Sequence, residues 1–106
     1  MILFVVTTLP DELTAASIIR ELVEKKSAAC GTIIPGARSI YRWKDAIEDS
    51  AEVVVIFKIP KAAATTFEVE LSSFHPYETP EIAAFEAAHA SQAYTAWVLE
   101  SCNKTA

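Results

Sequence analysis

Four kinds of side chain in this sequence carry chemistry worth following: a thiol, an imidazole, a set of carboxylates near it, and several aromatic rings with polar tips. Cys30 lies between Ala29 and Gly31 where an apolar, strand-forming stretch begins, and a thiolate is a soft donor suited to copper or zinc. The same residue type in the same setting also serves as a small buried hydrophobe. His75 offers a nitrogen donor at neutral pH, and Glu78 and Glu81 follow closely as oxygen donors or as partners that orient the ring. His75 equally suits the end of a helix, where a partly positive imidazole is favoured. Tyr41, Trp43, Tyr77 and Trp97 fit either a small-molecule cleft between subunits or the apolar centre of an interface.

The chain has 106 residues, 52% hydrophobic and 22% charged, the size and balance of one globular domain spanning 1–106. With two glycines in all, Gly31 and Gly36, neither a dinucleotide fingerprint nor a phosphate loop can be written in it. A formal charge of −5 disfavours nucleic acid as a partner. No apolar run approaches the roughly 20 residues of a membrane span, and Met1 leads straight into an apolar strand, so a cytoplasmic protein without a membrane partner is expected. Cys30 and Cys102 are too few for a disulfide scaffold. A closed tetrahedral zinc site needs four nitrogen or sulfur ligands, more than one subunit supplies, so any metal is expected to be shared or weakly held.

The elements that must position these groups follow from the pattern. Ile2 to Thr7 reads as a buried strand. A helix then starts near Pro10, with Ala15, Ile19, Leu22 and Lys26 at helical spacing. Cys30 to Trp43 reads as a long strand kinked at Pro35-Gly36, Lys44-Asp45-Ala46 as a turn, and Glu52 to Ile59 as the returning strand. Arg38 and Arg42 are expected to pair with Glu48 or Glu52 across this hairpin. Pro60-Lys61 opens a second helix with Ala63, Phe67, Leu71 and Phe74 inward. His75 to Pro80 must be a stiff extended connector, Glu81 to Glu86 a last strand, and Ser91 to Cys102 a third helix. The order is that of an α+β, ferredoxin-like β-α-β-β-α-β sandwich with a long hairpin and an extra C-terminal helix. Its second sheet face is too apolar for one short helix, which points to association with copies of itself.

The sequence resembles the CutA family of divalent cation tolerance proteins. The likeness is carried by Thr7-Thr8 with Pro10-Asp11, Ala28-Ala29-Cys30 leading to Ile33-Ile34-Pro35-Gly36, Ser39-Ile40-Tyr41 with Trp43, and above all His75-Pro76-Tyr77-Glu78-Thr79-Pro80-Glu81-Ile82. The resemblance implies a compact homotrimer closed by strand pairing between subunits, an architecture like that of the PII signalling proteins, and binding of copper and other divalent cations. Cys30, His75 and Glu81 are then the expected metal ligands, with Tyr41, Trp43, Tyr77, Glu78 and Trp97 at an interface or ligand cleft, and no catalytic residues. A PII-like signalling or scaffold trimer holding a small ligand or a protein partner is the alternative. The sequence departs from the family pattern at Gly31-Thr32, at Asp45 and at Ala87-Ala88-His89-Ala90.

Overall fold

A computed structural model describes residues 1–105. Strand β1 spans Ile2–Leu9, helix α1 Glu12–Glu24, β2 Cys30–Trp43, β3 Ala46–Pro60, α2 Ala64–Phe74, β4 Ala83–Glu86 and α3 Gln92–Ser101; one 3-10 turn, Lys61–Ala63, leads into α2. The four strands form one antiparallel sheet in the order β2-β3-β1-β4, the ferredoxin-like arrangement expected from the element order. Helices α1 and α2 share one face, where Ala15, Ile18, Leu22, Phe67 and Leu71 pack on Leu3, Val5, Leu9, Val53, Val55, Phe57 and Ile59. Helix α3 covers part of the other face, with Val98 buried against Ile2 and Ala29. No helix among the described residues is long and apolar enough to cross a membrane.

Several boundaries move outward from the sequence pattern. β1 runs on to Leu9 because Thr8 and Leu9 keep pairing with Val54 and Val53, and β3 begins at Ala46, directly after the turn. β4 is shorter than expected, since it pairs with β1 only from Ala83. In α1 the first residue is Glu12, with the Asp11 carboxylate accepting the Thr14 N–H at 2.7 Å. Ile18 rather than Ile19 completes its buried face, and Lys26 lies past the helix end with a left-handed φ of 62°. The altered segment 87–90 leaves α3 where it was expected: Ser91 caps it by accepting the Tyr94 N–H, while Ala87 and Ala90 pack under the helix.

The hairpin is built from a register shift and a tight turn. Pairing slips between Ile34 and Ala37, where Gly36 takes a φ of 78° that side-chain-bearing residues rarely adopt. At the tip, Lys44 and Asp45 both have positive φ, 49° and 67°, the twist a two-residue connection needs. This register sets Arg38 opposite Ala51 and diagonal to Asp49, so its guanidinium forks onto Asp49 at 2.8 and 2.6 Å, not onto Glu48 or Glu52. Nearer the core, Gly31 faces Phe57 across the ladder, and a Cβ there would stand 2.9 Å from the Ile19 side chain.

Candidate functional site

The connector after α2 is held by its own first residues. The His75 backbone N–H caps the helix by reaching the Leu71 carbonyl, while its imidazole turns away from the helix end toward the sheet. The Tyr77 N–H donates to Nδ1 at 3.2 Å, so the ring proton sits on Nε2 and points at the Thr7 hydroxyl, 2.9 Å away. Both ring nitrogens are thus engaged within the chain, and His75 is 8% exposed. Burial lowers its pKa, against smaller opposite pulls from the Thr8 backbone and the Glu52 carboxylate.

That shift has a sign that can be measured. A buried histidine with a depressed pKa favours the neutral ring, so its contribution to stability is complete above the unfolded value of 6.5. Below it, the unfolded chain takes up the proton first and stability is lost as pH falls through the folded pKa. The thermal midpoint is expected to drop from about pH 7 to about pH 5, and to drop less in His75→Gln, which cannot titrate. Equal slopes for the two proteins would remove His75 from the account.

Beyond His75 the connector faces the hairpin across a cleft of about 640 Å³. Tyr41, Trp43 and Tyr77 supply its aromatic walls, Thr8 and Ser39 its hydroxyls, and Glu52, Glu78 and Glu81 its carboxylates. Ser39, Tyr41 and Trp43 reach it together because alternate residues of a strand share a face. The Tyr77 hydroxyl donates to Glu52 Oε2 at 2.5 Å, tying the connector to β3. Burial first, then the hydrogen bond and charge of Glu52, push the Tyr77 phenol far above its ordinary pKa. At the rim, Lys44 at the hairpin tip reaches Glu78 at 3.6 Å and lies over the Trp43 ring, 5.5 Å from its centroid.

Four of the five expected cleft residues, Tyr41, Trp43, Tyr77 and Glu78, therefore line one cavity. Trp97 does not: it projects from α3, stacked near Tyr94 at 5.7 Å and 43% exposed. The three expected metal ligands do not converge within one chain. Cys30 pairs with Lys58 and faces α3, where it helps push up the Tyr94 hydroxyl, second to burial. His75 contacts Thr7, which lies opposite Val55 on the face that α1 and α2 cover. Glu81 stands at the cleft. Among the described residues no three His, Cys, Asp or Glu side chains are placed to hold a metal ion. Cys102, half-buried at the end of α3, has its thiol pKa raised by burial.

Glu52 is the residue that sequence pattern treats only as a hairpin ion-pair partner. It is 7% exposed, the sole carboxylate side chain among the described residues that are buried. The signal for it is the carboxylate standing directly against the Val53-Val54-Val55 run, at a register that alternation places beside the strand's other half-buried positions.

Known proteins are similar to this chain in both sequence and fold. Residues 3–101 match the family model of the CutA1 divalent ion tolerance protein. The divalent-cation tolerance protein CutA of Escherichia coli O139:H28 is 37% identical over 94 residues, covering 89% of this chain and 84% of that one. The crystal structure of CutA from Xylella fastidiosa superposes with a TM-score of 0.92 at 31% identity, covering 96% of this chain and 98% of that one. The divalent cation tolerance protein Cut A1 of Thermus thermophilus gives 0.90 at 35%, covering 95% and 98%.

Proposed function

The chain belongs to the CutA1 divalent ion tolerance protein family, and from that premise we propose that it is a cytoplasmic homotrimer that binds divalent cations, copper foremost and zinc second, by ligation without turnover. The observation that carries the trimer is the hairpin. Beyond the register shift it overhangs the core of a molecule 46 Å long and only 26 by 23 Å across. Ile40 and Ile47 there are 64% and 62% exposed, and β2 lies at the open edge of the sheet. A long open strand edge flanked by exposed apolar side chains is covered, in a stable protein, by another chain. A second copy supplies that cover at no cost in new sequence, and a closed ring of copies avoids open-ended growth.

The trimer also answers the separation of the donors. Since Cys30, His75 and Glu81 do not meet within one chain, a metal is held where copies adjoin, or by few ligands. Cys30 is the soft donor for copper, half-buried on the face that α3 partly covers. His75 joins only when Nε2 releases Thr7. Chelator-competition titration of the reduced protein with copper tests this beside Cys30→Ser and His75→Ala, each checked by sedimentation for assembly. Affinity is expected to fall roughly tenfold or more in Cys30→Ser with the trimer intact. Equal uptake by all three proteins would return the thiol and the imidazole to packing and connector-holding roles. The second reading, a PII-like signalling or scaffold trimer, is favoured by the cleft itself, whose size suits a small molecule.

A further inference from the structure

We propose that the cleft between the hairpin and the connector binds a small organic cation, a protonated amine carried on an apolar or aromatic body. The site goes beyond the metal reading: it shares only Glu81 with the expected metal ligands and uses neither Cys30 nor His75.

Three features of the cleft select this chemistry. Its charge has one sign: three carboxylates line it, and no lysine, arginine or histidine does. Glu52 lies deepest in burial, and only Oε2 is engaged, by Tyr77; Oε1 accepts no hydrogen bond from the described residues. That free oxygen is open to the cleft while the rest of the side chain is buried, and a carboxylate oxygen so placed bonds most strongly to a donor that brings a positive charge. Tyr41, Trp43 and Tyr77 line its walls, and the Trp43 ring already carries an ammonium, that of Lys44, over its face. Such rings attract a weakly hydrated organic cation and bury its carbon body, whereas a small divalent ion keeps its water and prefers oxygen on several sides.

The protein carries a demonstration of the recognition in Lys44. Its ammonium sits over Trp43 and beside Glu78, the two kinds of contact the inner cleft repeats with other rings and with Glu52. Lys44 holds this place from a left-handed backbone position in the two-residue turn. A ligand ammonium entering the cleft meets the same pair of groups at the rim, so Lys44 acts as an internal competitor.

Calorimetric titration of the full chain with benzylamine, and with benzyl alcohol as its uncharged counterpart, tests the site. Benzylamine is expected to bind saturably and roughly tenfold more tightly than the alcohol. Glu52→Gln, which keeps an acceptor for the Tyr77 hydroxyl but removes the charge, should bring the two probes level. Lys44→Ala should tighten benzylamine binding several-fold by removing the competitor. Equal affinities for the two probes, weaker binding in Lys44→Ala, or displacement of benzylamine by equimolar magnesium would each overturn the assignment. Should Glu52→Gln lose its helical circular dichroism, the Lys44→Ala comparison decides alone.

Discussion

Phe57→Ala is expected to remove a large share of the fold's stability. Phe57 is fully buried in the middle of β3, opposite Val5 on one side and Gly31 on the other. Its ring meets Phe67 of α2 edge-on, centroids 5.1 Å apart at 64°, so one side chain joins three strands and a helix. Truncation removes the buried ring and leaves a cavity that Gly31, having no side chain, cannot help to fill. Such changes cost about 3 to 5 kcal/mol, against a total stability of about 5 to 15 kcal/mol for a domain of this kind. In urea, at matched protein concentration, the midpoint should fall steeply. Phe85→Ala on the exposed part of β4 should barely move it. A comparable midpoint for Phe57→Ala and the parent would contradict this account of the core.

Tyr77→Phe is the second large effect. It deletes one hydroxyl and nothing else, and in doing so strips Glu52 of its one hydrogen bond. A hydrogen bond to a charged group contributes about 1.5 to 3 kcal/mol, and the loss is felt fully when the stranded partner stays buried. The connector would lose its tie to β3 while His75 kept its tie to β1, so the cleft should loosen from the Tyr77 side. Adding Glu52→Met to Tyr77→Phe removes the stranded charge and is expected to recover much of the loss. Two single effects that merely add in the double variant would show that the pair is not coupled.

The architecture was legible in the chain because each element announces itself locally. Pro10-Asp11 and Pro60 open helices, Pro35-Gly36 marks the bulge, and the two prolines of the connector forbid helix there. What depended on register was not legible. Arg38 finds Asp49 because the turn occupies Lys44 and Asp45 alone, and a turn one residue longer would have changed every cross-strand partner. Four of the cleft's residues, Tyr41, Trp43, Tyr77 and Glu78, read as a group, since the connector and strand β2 each carry rings with polar tips or carboxylates, whereas Glu81 read as a metal ligand. Glu52 escaped because a carboxylate in a strand reads as surface until a partner from a distant segment covers it. Cys30 and His75 read as donors of one metal, yet lie on opposite faces of the sheet, a distinction that residue type and separation along the chain cannot express. Trp97 has the composition of a cleft residue but sits on a helix that the cleft does not touch.

Gly31 bears on how this chain can drift. Helix α1 rests on the sheet there through Ile19, whose branched carbons already occupy the space a Cβ at position 31 would enter. The two residues divide one fixed volume. Any larger side chain at 31 must arrive with a smaller one at 19, or the helix lifts from the sheet. A larger residue grafted singly at position 31 therefore meets a neighbour fitted to glycine, and it is accommodated only when position 19 is shortened with it.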